Sequence, residues 1–554
     1  MSQNRPITSD SLEKLTCFPF GIGENSQGIC LLVQMGSSRI LLDCGLSDIS
    51  PLITESKPPA DLVVCSHAHR DHAQGLLALH RAFPEMPIYT SEVTAQLLSL
   101  NWQEELNSQA VDFCSVLPWR SPFQFSDTLS LELFPAGHLP GATVIALTYS
   151  SPKRTYRLIY TGDFFLSNSR LVEGLALQSL RSGTVDVLIV ESTYGATRHI
   201  HRRQQENLLM DQINHAIANH RSVLIPVPPF GLAQEILVLL RSHHQFTGRN
   251  LDIWVDSSIT TACNIYLKLL PHLRESLQNF AKHQPLFWDE RVRPRMFPIS
   301  DTQQPNPREA PCVILTDLTT NLQQYCSPDT GSWLILLPQE PRFSLPPSLE
   351  ALIATSDPDR IQFETYLLAQ HSDGVGTTQL IHNLRPQHVV FVHGSASDRA
   401  DLTSLEELQS RYQLHSPAAE TLVELPIGET FIRPAAPTTT ETNYEGEIHE
   451  VGSTVHINLP DVITNDPRWS NFSDTGLIEA RWQGEELTLR GLSQRELLSQ
   501  NSDAKIPANI ACCGNCRHFR SQRCANPASP LYGFKVTPEG YCPVFDSIAS
   551  NSDL

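Results

Sequence analysis

The sequence predicts an α/β protein of several layered units, and three observations carry that prediction. Short β-rich runs alternate with turns and helical patterns through residues 1 to about 200, as in sheets covered by helices. A second strand–helix–strand pattern follows between about 205 and 370. A chain of 554 residues is also too long for one compact core, and the size prior suggests roughly three or four units.

Taken in order, Ile29–Val33, Arg39–Asp43, Asp61–Ser66 and Val144–Thr148 read as strands, with helical patterns near Leu76–Phe83 and Glu92–Leu100. The run Asp61-Leu62-Val63-Val64-Cys65-Ser66 suits a short buried strand. It spills into His67-Ala68-His69-Arg70-Asp71-His72, three imidazoles and a carboxylate within six residues. Three more strand ends carry Asp43 (before Cys44-Gly45), His138 (in Ala136-Gly137-His138) and Asp163 (in Thr161-Gly162-Asp163). Together they supply His67, His69, His138 and Asp163 for one metal ion, and Asp71, His72 and a shared Asp163 for a second. Zinc favours imidazole and carboxylate ligands and keeps a position for water at catalytic sites. Two Zn2+ ions are the simplest way to use the whole set.

Composition narrows the class. The apolar fraction of 40% and charged fraction of 18% are those of a globular protein, while 40 prolines imply many loops and a linker. No apolar run approaches the roughly 18 residues that span a bilayer, so no membrane contact is expected. The start, Met1-Ser2-Gln3-Asn4-Arg5-Pro6, lacks an export pattern, and a cytoplasmic location is expected. A net charge of -19 argues against loose coating of nucleic acid. Any phosphate-bearing substrate must be held by metal and a few placed cations. Of the 13 cysteines, eight are scattered singly and five gather from Cys512 to Cys542, which is no disulfide scaffold.

Further along, Leu188-Ile189-Val190-Glu191-Ser192-Thr193-Tyr194-Gly195 is an apolar strand ending in a carboxylate, followed by Arg198, His199, His201, Arg202 and Arg203. Leu208, Leu209, Ile213, Ala216 and Ile217 lie at helical spacing; Val223–Pro226 and Leu251–Asp256 read as strands around a helix over Ala233–Leu240. Two histidines follow strand-like runs, His371 after Thr365–Ala369 and His393 after Val389–Val392. Pro434–Thr442 reads as a linker, and Thr454–Leu459 with Leu487–Leu489 as strands of a small unit. Cys513, Cys516, Cys524 and Cys542, with Cys512 to spare, form a four-thiolate pattern for a further Zn2+ or an iron–sulfur cluster.

The order of an Asp after a strand, HxHxDH, a later His and a later Asp resembles the metallo-β-lactamase superfamily. The Glu191–Gly195 stretch, with His199 and Arg202 spaced behind it, resembles the first signature of its β-CASP nucleases. His371 and His393 are similar to the second and third. The resemblance implies a four-layer αβ/βα sandwich with an inserted β-CASP α/β cap, to which the residues themselves add small C-terminal β and Cys-rich units. The sandwich domain would open over residues 1–204, give way to the cap over 205–368 and resume in a return segment, 369–433. A linker 434–443, a β-rich unit 444–500 and a four-cysteine tail 501–554 would follow. Asp43 would orient a ligand imidazole rather than bind metal. The family's Gly-Arg-x-Gln-Glu stretch reads Gly231-Leu232-Ala233-Gln234-Glu235 here, with Leu232 in place of a cation. Its Ser-Gly-Gly-Met and Gly-Thr-x-Gly-Arg stretches have no counterpart.

An imidazole at the third signature goes with RNA-acting members, so the resemblance implies a zinc-dependent ribonuclease with RNA as partner, acting as endonuclease, 5′-exonuclease or both. His393 would complete the second metal's ligands, and Asp71 would also steer the attacking water. His371 would protonate the leaving 3′-oxygen, with Glu191 against it. His199, Arg202 and Arg203 would bind phosphates. The alternatives are a catalytically impaired RNA-binding or scaffold protein, suggested by the cap departures, and hydrolysis of a small ester or thioester. Homo-oligomerisation stays open.

Overall fold

The computed structural model describes residues 15–24, 27–102, 111–326, 329–339, 345–428, 447–451, 454–458, 478–483, 486–491, 513–520, 523–527 and 546. The chain divides into two compact units, 1–440 and 441–554.

Three sheets build the first unit. One has seven strands in the order Val423–Glu424, Leu15–Ile22, Ile29–Met35, Ser38–Leu42, Leu62–Val64, Ile88–Thr90 and Cys114–Val116. The second, also seven-stranded, runs Gln413–His415, His388–Val392, Val187–Glu191, Thr155–Tyr160, Thr143–Ser150, Leu129–Pro135 and Phe123–Gln124. Period-two alternation fixes what each face buries. Leu31, Val33, Leu42, Leu62 and Val64 of the first sheet share one apolar cluster with Leu158, Tyr160, Val187, Ile189, Val390 and Val392 of the second. Their neighbours Cys30, Leu41, Val63, Ile159, Leu188 and Phe391 turn the other way, into a cluster with helical residues such as Leu76, Leu79, Val93 and Leu380. Two sheets packed on each other with helices outside form the layered α/β arrangement that the strand pattern predicts and the sandwich that the resemblance implies.

The third sheet is an insertion. Val187–Glu191 pairs in parallel with His388–Val392, Glu191 opposite Val392. Between these neighbours the chain leaves to make six strands in the order Arg295–Pro298, Asp252–Val255, Val313–Asp317, Arg221–Val227, Ser332–Pro338 and Ile361–Tyr366. Every pairing in it is parallel, so it needs cover on both faces. Val223, Ile225, Ile253 and Leu315 pack with helices Arg202–Ala218, Leu232–Ser242 and Ser257–Lys268. Leu224, Trp254, Ile314, Trp333 and Ile335 form a separate cluster with Leu349 and Leu352 of helix Pro347–Thr355.

In the second unit the described pieces are three antiparallel pairs, Glu447–Val451 with Thr454–Asn458, Ile478–Gln483 with Glu486–Gly491, and Phe519–Arg520 with Arg523–Cys524. Among the described residues no helix is long and apolar enough to cross a membrane.

Candidate metal centre

The candidate residues stand at the ends of seven strands. Asp43 follows Ser38–Leu42, the His67–His72 segment follows Leu62–Val64, His138 follows Leu129–Pro135, and Asp163 follows Thr155–Tyr160. Glu191 ends its own strand, His371 follows Ile361–Tyr366, and His393 follows His388–Val392. Donor atoms of His67, His69, His138 and Asp163 all lie within 4.8 Å of one another, and so do those of Asp71, His72 and His393. Asp163 forms a third such set with Glu191 and His393.

Hydrogen bonds decide which ring nitrogen each histidine turns inward. His138 Nδ1 sits 2.8 Å from the Gln370 carbonyl, which only accepts, so Nδ1 carries the proton and Nε2 keeps its lone pair. His72 Nδ1 donates in the same way to Asp43 Oδ2 at 2.8 Å. The Ser66 hydroxyl spends its proton on Asp43 Oδ2 at 2.7 Å and therefore accepts from His67 Nδ1 at 3.0 Å. Thr193 donates to Glu191 Oε2 and accepts from His393 Nδ1 at 2.8 Å. The lone pairs left over converge: His69 Nδ1 lies 3.2 Å from His67 Nε2 and 3.0 Å from His138 Nε2.

Such a crowd of lone pairs is repulsive unless a cation stands among them. Two nitrogens at ~2.0–2.1 Å from a tetrahedral zinc are about 3.3 Å apart, close to the separations here. Burial, then the neighbouring His67, holds His69 down to about 3, and burial with His371 and His69 holds His138 well below the usual imidazole range. Both rings are therefore neutral at pH 7, the form that can donate a lone pair to a metal. Burial alone would raise Asp163, but His393, His72 and His371 keep it well below the carboxylate range. Burial would lower His72, yet Asp163, Asp71 and Asp43 together push it well up. His72 Nε2 and Asp163 Oδ1 are buried and make no hydrogen bond. An unsatisfied buried polar atom calls for an explanation, and a cation beside the donor sets would supply one for these two. The residues fit divalent cations: His67, His69, His138 and Asp163 would hold one, and Asp71, His72 and His393 another.

Beside the donors, His371 Nδ1 lies 2.9 Å from Glu191 Oε2, and its ring is 4.6 Å from that of His138. Glu191 Oε1 accepts from the Phe164 amide at 2.7 Å, so the carboxylate is anchored on both oxygens. Phe230 of the inserted segment faces the His69 ring at 5.2 Å. At Gly231, φ is +90° and an added methyl would lie 3.3 Å from His69 Nε2.

Of the expected phosphate ligands, Arg203 is exposed, and His199 is half-buried with its ring 4.2 Å from Tyr194. Arg202 needs a correction. Its guanidinium is buried, 2.9 Å from Glu235 and 3.4 Å from Glu206, and donates to the Ala369 carbonyl. It ties the inserted helices to the segment before His371 rather than facing substrate. Glu235 also accepts from the Arg170 amide at 2.6 Å, and Leu232 is buried in the same helix. Cys513, Cys516 and Cys524 are buried, while Cys512 and Cys542 lie outside the described residues.

Sequence reasoning missed Ser66, Tyr160, Thr193 and Gln370. Tyr160 donates to Asp43 Oδ2 at 2.6 Å. Tyr160 precedes Asp163 by three positions and Thr193 follows Glu191 by two, so proximity to a recognised strand end was the available signal.

A sequence model of the beta-lactamase superfamily domain matches residues 38–223. An uncharacterized protein of Synechocystis is 50% identical over the full length of both chains. A probable RNase of Methanocaldococcus jannaschii is 31% identical over 45% of this chain, which spans 61% of that protein. Integrator complex subunit 11 of Danio rerio is 24% identical over 68% of this chain and 69% of its own length. With its two-sheet sandwich and its insertion, the chain belongs to the metallo-β-lactamase superfamily and, within it, to the β-CASP ribonuclease family.

Proposed function

We propose that the protein is a zinc-dependent ribonuclease that hydrolyses RNA phosphodiester bonds in RNA processing or decay, as endonuclease, 5′-exonuclease or both. The observation that carries this reading is Asp163 sharing one donor set with His67, His69 and His138 and another with Glu191 and His393, with the His371–Glu191 pair beside them. The relative described as a probable RNase supports RNA as the polymer. The imidazole-rich donor set favours zinc.

A pair of zinc ions, when bound, acidifies water near neutral pH and neutralises charge that develops on a phosphodiester. The chain's own residues supply the rest. Asp43 holds two ligand imidazoles in the tautomers that leave Nε2 free. Asp71, 3.2 Å from His393 Nε2, carries a carboxylate that orients the attacking water. Glu191 accepts from His371 Nδ1 and so supports the doubly protonated ring, whose Nε2 hands its proton to the departing 3′-oxygen and leaves the neutral Nδ1–H imidazole. His199 and Arg203 contact backbone phosphates, and residues 205–368 act as a cap over the substrate.

A second reading, a catalytically impaired RNA-binding or scaffold protein, is favoured by Leu232 lying buried where the family carries a cation and by Arg202 being committed inside the fold. One assay separates the two. Zinc-loaded protein is given 5′-labelled RNA, matched DNA and a generic ester, beside His67→Ala and His371→Ala variants. RNA cleavage lost in both variants supports the nuclease. A fully metallated sample that cleaves nothing supports the scaffold.

A further inference from the structure

The insertion reaches the metal centre at Gly231, the residue that caps helix Leu232–Ser242. Gln234 pins this turn from inside the helix: its Oε1 accepts from the Gly231 amide at 2.9 Å, and its Nε2 donates to the Pro229 carbonyl at 3.1 Å. A methyl added at Gly231 would lie 3.3 Å from His69 Nε2, 3.6 Å from Gln370 Nε2 and 3.7 Å from Gln370 Oε1. These polar atoms therefore border one small space, which a side chain at position 231 would fill.

Both side chains keep hydrogen-bonding capacity in hand. His69 turns Nδ1 toward the donor set, so its neutral ring carries the proton on Nε2. Among the described residues no hydrogen bond engages that N–H, and none engages the Gln370 side-chain amide. Gln370 is only 9% exposed, and a polar group that deep calls for a partner. Its backbone is meanwhile fixed. The Gln370 carbonyl accepts from His138 Nδ1 at 2.8 Å, the Ala369 amide donates to Gln205 Oε1 at 2.8 Å, and the Ser372 amide donates to the Phe164 carbonyl at 2.9 Å. An idle amide on so well-anchored a backbone is preorganised for recognition. Phe230, 6% exposed and 5.2 Å from the His69 ring, adds an apolar wall, which strengthens a hydrogen bond made beside it.

We propose that Gln370, together with His69 Nε2–H, recognises a ribose 2′-hydroxyl of the substrate and is the residue that sets a preference for RNA over DNA; the inference rests on the nuclease reading above. A hydroxyl uses both partners, since it donates to Gln370 Oε1 and accepts from His69 Nε2–H. A phosphate oxygen only accepts and calls for cations, whereas Leu232 beside the space is apolar and buried, and Arg202 is spent on Glu235 and Glu206. The carbon that bears the 2′-hydroxyl adjoins the one that bears the leaving 3′-oxygen. A group that reads it belongs beside the donors, and Gln370 directly precedes His371 in the chain. The 2′-hydroxyl is also what distinguishes RNA from DNA at a given position.

The test compares the zinc-loaded full chain with its Gln370→Met variant, which keeps the side-chain length and the backbone carbonyl but removes both polar atoms. Each is given one labelled RNA strand and the matched 2′-deoxy strand, and both kcat/KM and equilibrium binding are read. Wild type is expected to favour RNA, and Gln370→Met to lose roughly 10-fold of that preference, the worth of one hydrogen bond, at unchanged zinc content. A preference that survives in the variant, whether both strands slow together or neither does, overturns the proposal, as does a wild type without preference. If fully metallated wild type cleaves neither strand, the nuclease reading fails and the binding ratio alone decides: its fall in Gln370→Met supports the 2′-hydroxyl contact, and an unchanged ratio rejects it. Should the variant misfold, wild type is read on RNA carrying 2′-fluoro groups, which cannot donate to Gln370 Oε1. Weaker binding than to RNA is expected, and parity rejects the contact.

Discussion

Asp43 Oδ2 holds His72 Nδ1 at 2.8 Å and, through the Ser66 hydroxyl at 2.7 Å, His67 as well. One carboxylate therefore sets the tautomer of an imidazole in each of the two donor sets, without belonging to either. Its backbone sits at φ +58°, a region that Asp tolerates better than most residues. Asp43→Asn keeps the shape but puts an amide where three donors converge. Zinc affinity, measured by chelator competition, is expected to fall roughly 10–100-fold while circular dichroism stays unchanged. Wild-type affinity in the variant would refute the orienting role.

Glu191→Gln leaves an oxygen for the Phe164 amide but removes the charge facing His371. RNA turnover is expected to drop about 10²–10⁴-fold, the range of a lost general acid, with zinc content unchanged and the pH–rate profile displaced. Loss of zinc along with activity would instead make Glu191 a metal ligand.

Arg202 and Arg203 are neighbours with opposite fates, one buried against Glu235 and Glu206 and the other exposed. Arg202→Met leaves Glu235 without its cation and is expected to cost roughly 3–5 kcal/mol in urea unfolding. Arg203→Ala is expected to leave stability alone and to reduce the slope of log K against log salt for RNA binding by about 1. An Arg202→Met protein of normal stability with a reduced slope would reverse the two assignments.

His243 caps helix Leu232–Ser242 and faces Asn207 at 3.3 Å, with burial and then His244 and Arg170 holding it down to about 4. An unfolded imidazole titrates near 6.5. Between these values the unfolded chain binds more protons, so stability rises with pH there. The contribution is complete above about 6.5 and is lost as pH falls toward about 4. Urea midpoints of wild type and His243→Gln are expected to converge on acidification across that window, and parallel curves would exclude His243 as the cause.

The ligand set was legible because it is local: three histidines and an aspartate crowd one strand end, and Asp43, His138 and Asp163 each end an apolar run. Apolar runs likewise announced several strands, Leu62–Val64 among them. The hydroxyls of Ser66, Tyr160 and Thr193 were not legible, since a hydroxyl declares a role only through neighbours far away in the chain, as Tyr160 does with Asp43. Arg202 was misread for the same reason. Its basic neighbours suggested a phosphate site, whereas its partner Glu235 lies on another helix; only Glu206, one helical turn on, hinted at an internal pair. In the second unit, Glu447–Val451 and Ile478–Gln483 escaped notice, although Ile478, Ala480 and Trp482 alternate with Glu479, Arg481 and Gln483.

Because the third sheet is inserted between two hydrogen-bonded neighbours, the two donor sets are finished at different times during synthesis. The ribosome has delivered all of the first by Asp163, but His393 emerges only after every strand of the insertion. A nascent chain can thus gather the first donor set early, while the second waits for His393 until translation has passed the insertion.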